Sequence, residues 1–314
     1  GLDFQPDFVW TKNRDDTWSN TLIDAVRGGT KYLYSDTTET QATNSTMITS
    51  FNSDGYTVGG SGDINRNTER NVSWNWKAGT TSGIATNGAT TITPGSYSFN
   101  QTSGMSIINY DGNNTAGAKV AHGLGATPDM MIVKAMNSTA HWAVYHKSMG
   151  NTHYMQFDTN QQLDDAGVWN DTSPDSVNFT VGNSDKTNTV TYIAYCFSEK
   201  VGYSKFGKYV GNENNDGTFV YTGFKPAFLI IKRSDSSQPW LLLDNKRGAY
   251  NVNQSKLFPN DAAVENTDTS NGIDFLSNGF KLRRNNGESN ENGTYIYMAF
   301  AEAPLVGTNN VPCT

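Results

Sequence analysis

Thiols, charge and long apolar runs are scarce in this chain of 314 residues, and each scarcity removes a class of protein. The two cysteines are Cys196, inside a strand-like run, and Cys313, next to the last residue. A bridge between them would have to reach from a sheet to a tail, so a small buried thiol and a free tail thiol are expected, and the redox compartment stays open. Charged residues make up only 17%, with a net charge of −7. Binding held by phosphate contacts draws its affinity from clustered Lys and Arg, so nucleic acid is not an expected partner. No apolar stretch approaches the roughly 18 residues that cross a membrane as a helix, and neither a signal peptide nor an initiator Met opens the sequence. A long amphipathic helix is missing too.

Gly, Asn, Thr and Ser are abundant instead, and aromatics reach 12%. That mixture favours strands and turns. Three stretches are versions of one another. Pro6-Asp7-Phe8-Val9-Trp10-Thr11-Lys12 returns as Pro128-Asp129-Met130-Met131-Ile132-Val133-Lys134 and as Pro226-Ala227-Phe228-Leu229-Ile230-Ile231-Lys232. Each is a short β-branched and aromatic run between Gly/Pro and a charge, which reads as a strand buried on both faces. The 98-residue spacing from Pro128 to Pro226 argues for three units, each large enough for its own core.

The correspondence extends along the chain. Leu22 to Gly28 matches Val144 to Gly150 and Leu242 to Gly248, the glycine falling sixteen positions past the lysine each time. Phe51–Val58 matches Phe275–Leu282 around Asp54-Gly55 and Asn278-Gly279, a hairpin signal. Each unit closes on a strand of period two: Val72, Trp74 and Trp76 correspond to Ile193, Tyr195 and Phe197 and to Ile296, Met298 and Phe300. The alternating Ser73, Asn75 and Lys77, or Ala194, Cys196 and Ser198, are smaller or more polar, so the first set is expected to face the core. The expected division is unit 1 at residues 1–79, a Thr/Ser/Gly linker or loose arm at 80–103, unit 2 at 104–200, unit 3 at 201–302 and a free or subunit-docking tail at 303–314.

Units 2 and 3 open on Gly104-Met105-Ser106 and Gly202-Tyr203-Ser204, each 24 residues before its proline. No counterpart stands before Pro6, so unit 1 is expected to lack its first strand. Its sheet would be completed by upstream sequence or a neighbouring subunit in preference to the 79–103 arm, since a bare edge invites pairing. An all-β series of three tandem antiparallel sandwiches is the economical architecture, with a barrel as the alternative.

Candidate chemistry is thin. Asp24 with Arg27, and Asp244 with Arg247, can be read as a carboxylate and guanidinium over a substrate, but the second unit has His146 and Met149 there. An exposed turn-stabilising ion pair is the preferred reading, contributing about 0–1 kcal/mol. His122, His141, His146 and His153 all fall in unit 2, yet no two stand two or four apart as metal ligands on one face would. Solvated or hydrogen-bonded loop histidines are expected, with no metal and no cofactor. The turns Asn52-Ser53-Asp54-Gly55 and Asn214-Asn215-Asp216-Gly217 lack the ligand series of a calcium loop, which leaves calcium binding open. Gly123-Leu124-Gly125 precedes a strand and not a helix, so it is no phosphate cradle. Asp15-Asp16 and Asp164-Asp165 read as loop acid pairs. The Asn-x-Ser/Thr triplets at Asn44, Asn71, Asn178 and Asn292 are chance products of composition. No catalytic residue emerges, and the ligand-binding residues stay unknown.

Phe4-Gln5-Pro6-Asp7-Phe8-Val9-Trp10-Thr11-Lys12-Asn13-Arg14, Thr191-Tyr192-Ile193-Ala194-Tyr195-Cys196-Phe197 and Gly202-Tyr203-Ser204-Lys205-Phe206-Gly207 carry a resemblance. They resemble an uncharacterised repeat domain of virion and tail-fibre proteins from marine and cyanobacterial phages. The likeness covers nearly the whole chain and implies jelly-roll or concanavalin-like sandwiches on the surface of a virion. It carries no catalytic residues. The expected function is a non-enzymatic tail fibre or receptor-binding component that touches host glycans, assembled with other virion proteins and as a homo-oligomer, a trimer being favoured. The alternatives are a capsid decoration or other purely structural virion protein, and a glycan depolymerase.

Overall fold

The computed structural model describes residues 2–248 and 250–302, so the tail at 303–314 and Cys313 lie outside the described residues. The first segment contributes β1 (Phe8–Asn13), β2 (Thr21–Asp24), β3 (Lys31–Tyr34), β4 (Ala42–Thr43), β5 (Ile48–Asn52), β6 (Gly55–Val58), the short helix α1 (Gly62–Asn65) and β7 (Asn71–Trp76). Next come β8 (Ser96–Asn100), β9 (Met105–Asp111), β10 (Ala118–Ala121), β11 (Met130–Ala135), β12 (Ala143–His146), β13 (His153–Gln156), β14 (Asp164–Asp165), β15 (Asn178–Val181) and β16 (Thr191–Phe197). The third segment holds β17 (Ser204–Val210), β18 (Phe219–Tyr221), β19 (Pro226–Arg233), β20 (Leu241–Asp244), β21 (Ile273–Leu276), β22 (Gly279–Leu282) and β23 (Thr294–Ala301). The chain is nearly all β, and its named strands pair antiparallel in several sheets.

The three large sheets run β4-β3-β2-β1-β7, β14-β13-β12-β11-β16-β9-β8 and β17-β23-β19-β20. In each, the proline-led strand lies between the strand that follows it and the segment's last strand. Registers match: Phe8 faces Trp76, Met130 faces Phe197 and Phe228 faces Phe300, while Trp10, Ile132 and Ile230 face Trp74, Tyr195 and Met298. A small sheet covers one face of each large one: the β5–β6 hairpin, the β10–β15 pair and the β18-β22-β21 trio. Between them lie three separate cores, around Val9 and Ile23, around Met131, Ala194 and Cys196, and around Leu229, Leu243 and Tyr297.

The opposite faces of the large sheets meet one another. The period-two set is buried as its alternation requires, Val72 only partly, yet its residues form one core shared by all three segments, where units strung in series would each keep a core apart. Trp76, Phe197 and Phe300, which occupy corresponding positions, touch as a triangle with ring centroids 6.5, 5.7 and 5.9 Å apart. Phe8 stacks on Tyr195 at 4.3 Å, and Trp10 meets both Phe157 and Phe228. Such edge and offset contacts add to the burial of large aromatic area.

Hydrogen bonds close this arrangement into a ring. Asn20 Nδ2 donates to the Phe258 carbonyl, Trp142 Nε1 to that of Tyr34 and Trp240 Nε1 to that of Gln156, each at 3.0 Å. The donors lead corresponding strands and the acceptors follow corresponding residues, so each segment is tied to its neighbour and the third returns to the first.

The uncharged 79–103 stretch, expected as a linker or loose arm, is largely docked: β8 pairs with β9 at the edge of the second large sheet, and Ile92 bridges Val120. Gly123 lies beside it with φ +76°, and a Cβ there would come within 2.8 Å of the Phe99 ring.

Candidate functional site

The Asp24–Arg27 and Asp244–Arg247 pairs are not exposed, which corrects the sequence reading: their side chains are at most 3% accessible. Asp24 accepts from Arg27 Nε at 2.5 Å and from Tyr195 Oη at 2.8 Å, while Arg27 also reaches the Leu22 carbonyl. Burial works against the Arg27 charge, but the Asp24 and Tyr195 oxygens more than offset it and hold its pKa above the ordinary value. Asp244 accepts from Arg247 and from Trp74 Nε1 at 3.1 Å. Both carboxylates therefore sit on seams between segments. Across the third seam the facing residue is Met298, which offers no donor, and the position is filled by His146, whose Nε2–H donates to the Tyr297 carbonyl at 3.1 Å. The departure from Asp to His follows the chemistry of the neighbour, and the position is structural in all three segments.

The three lysines that end the proline-led runs are fully buried. Lys134 Nζ donates to the Ala140 and Thr38 carbonyls, and Lys232 Nζ to those of Arg233 and Asn160. Burial lowers the Lys12 and Lys134 pKa to about 8 and that of Lys232 to about 7. Only the recurrence of lysine at one repeat position hinted at this.

The remaining candidates separate in space. His122 and His146 are buried, each with its pKa lowered to about 4 by desolvation, and His141 pairs with Asp158 at 2.8 Å. Among the described residues, no three His, Cys, Asp or Glu side chains gather as metal ligands would. Cys196 is buried in the second core, and burial pushes its thiol pKa up. Asp15 pairs with Arg70, Asp164 accepts from Tyr154 Oη, and Asp216 pairs with Lys281.

Large apolar side chains are rarely left in water in isolation from a purpose when they cluster. Here they cluster on the outer face of the third small sheet. β18 turns Val220 inward against Phe280, so its alternate residues Phe219 and Tyr221 point outward, 43% and 64% exposed. Gly279, opposite Tyr221, keeps the floor of this ledge low. Beside it Val210 is 59% exposed, its carbonyl accepting from Thr218. The loop that joins β17 to β18 carries Asn212, Asn214 and Asn215, all exposed, and is fixed by Asn290, which donates to Asn212 Oδ1 and the Asn214 carbonyl. The second segment shows no such ledge, because β10 carries Lys119 and Ala121 at the outward positions and Ile92 bridges beside it. Exposed aromatics beside anchored amides form a surface able to stack on and hydrogen-bond a polar ring. The period-two pattern of Phe219-Val220-Tyr221 was its only trace in the sequence.

Fold and surface together define a nearly all-β scaffold that carries an aromatic ledge. The chain belongs to the family described as a domain of unknown function, DUF7483, whose sequence model matches residues 1–304 as one stretch. No curated protein and no solved structure matches it significantly.

Proposed function

We propose that the chain is a non-enzymatic surface protein of a phage virion, a tail-fibre or receptor-binding component built of three tandem sandwich units of jelly-roll or concanavalin-like type. The observation that carries this reading is the Phe219–Tyr221 ledge with its amide loop, held on a scaffold whose every segment is tied to the next. Aromatic faces and amides suit weak glycan contacts, and a homo-oligomer, such as a trimer, would multiply them through avidity. The resemblance of the proline-led runs to virion proteins supplies the setting.

The test is binding of the full chain to a glycan array and to lipopolysaccharide from candidate host bacteria. Tyr221→Ala is expected to weaken binding at least tenfold while leaving the melting temperature unchanged. Equal binding by the variant, or no glycan binding together with tight association with purified virions, would favour a decoration or other structural role. Release of reducing ends from the polysaccharide would instead revive the depolymerase reading, which needs two carboxyls about 5–9.5 Å apart.

A further inference from the structure

The first large sheet ends differently from the other two. β16 is covered on its far side by β9, and β23 by β17, whereas among the described residues β7 pairs only with β1. The small sheet repeats the difference: β22 lies between β18 and β21, while among the described residues β6 has only β5 beside it. A groove of about 210 Å³ opens between the two free edges, lined in part by Val9, Ile48, Tyr56, Val58, Asn71 and Ser73. The ladder register with β1, continued by the bond from Arg14 N to the Arg70 carbonyl, turns the main-chain groups of Asn71, Ser73 and Asn75 toward the open side. Asn71 Oδ1 is buried at this groove without a hydrogen-bond partner.

We propose that β7 is an acceptor edge for an extended strand supplied by another polypeptide, which adds antiparallel to it and lays its side chains into the groove and the common core. The sister strands define the chemistry of that segment. Opposite the positions that correspond to Trp74 they place Ile107 and Phe206, and opposite those that correspond to Asn71 they place Tyr110 and Tyr209. Ile107 and Phe206 enter the common core, and Phe206 lies 6.4 Å from His146 on the seam between the second and third segments. The β7 edge abuts the matching seam, where Trp74 meets Asp244 and the Arg247 guanidinium. An incoming large apolar residue continues an interface already built, and a tyrosine three positions on, as in both sister strands, brings a donor to Asn71.

The partner is a separate chain because β7 is dressed to stand in water without it. Its groove-side residues Asn71, Ser73 and Asn75 are partly exposed, where the sisters have the buried Tyr192, Ala194 and Cys196 and Tyr295, Tyr297 and Ala299. A permanently paired strand has no need of such polarity, while an edge filled on assembly does.

The experiment titrates the full chain with a synthetic peptide of residues 202–210, which contains β17, and follows calorimetry and amide exchange. Saturable binding with slowed exchange at Asn71, Ser73 and Asn75 is expected, and a scrambled peptide of the same composition should bind at least tenfold more weakly. Ser73→Pro removes one outward N–H without touching the ladder to β1, and should reduce affinity at least tenfold. The proposal is overturned if peptides of residues 104–111 and 202–210 both fail to bind, or if the scrambled peptide binds equally. It is overturned as to its occupant if those amides are already protected in a concentration-dependent way without peptide, which would assign the edge to a second copy of this chain.

Discussion

Asp24→Ala is the perturbation that separates a seam from a surface turn. In the folded protein Asp24 is the shared acceptor for Arg27 Nε and for Tyr195 Oη from the next segment, with both charged side chains withdrawn from water. Removing the carboxylate leaves the guanidinium buried with only the Leu22 carbonyl and the Tyr195 hydroxyl at 3.0 Å. Breaking a buried pair in this way costs about 3–5 kcal/mol, against about 0–1 kcal/mol for an exposed pair. Tyr195→Phe, which removes the hydroxyl that donates to Asp24 and accepts from Arg27, should cost at least about 1.5–3 kcal/mol. The double variant should cost less than the sum, since both remove the same contact. Urea denaturation of the two single variants and the double variant measures all three. A loss below about 1 kcal/mol for Asp24→Ala, or strict additivity with Tyr195→Phe, would refute the reasoning.

The buried His146 gives a pH dependence of definite sign. Its pKa of about 4 in the fold lies below the ordinary 6.5, so the unfolded chain takes up a proton first and stability falls as pH drops from 6.5 to 4. The loss is up to about 1.4 kcal/mol per pH unit for this group, and His146→Gln should remove that component when urea midpoints are compared at pH 7, 6 and 5. The partly opposing contribution of Asp7, Asp36 and Asp158, whose pKa values burial raises, is common to both proteins. Gly123→Ala meets the Phe99 ring as well as an unfavourable positive φ, whereas Gly28 has a positive φ but open space around its Cβ position. Thermal melts should therefore show Gly123→Ala more destabilising than Gly28→Ala, which carries only the backbone strain of about 1–2 kcal/mol.

Strands were legible in the sequence because period two and the punctuation by proline and glycine act locally. The Trp74/Trp76, Tyr195/Phe197 and Met298/Phe300 sets are buried as the alternation required. What the alternation could not say is which surface a face meets. One apolar face serves equally in a private sandwich core or in a core shared by three sheets, and only the contacts among Trp76, Phe197 and Phe300 distinguish them. The same limit hid Asp24, Asp244 and His146, whose partners lie more than a hundred residues away in the chain. Lys12, Lys134 and Lys232 read in the sequence only as the charge that bounds each run, and their burial was hidden because the backbone carbonyls that receive them, Asn13, Ala140 and Arg233 among them, are set by the fold. The Phe219–Tyr221 ledge was hidden among aromatics that mostly face inward.

The shared core is the central claim, and Phe300→Ala tests it most directly. Phe300 contacts Trp76 of the first segment and Phe197 of the second, so its loss opens a cavity bordered by all three. Native-state hydrogen exchange can read β2, β12 and β20 separately. A common core predicts that protection falls in all three by the same amount, about 3–5 kcal/mol. Loss confined to β20, with β2 and β12 as protected as in the parent, would contradict it.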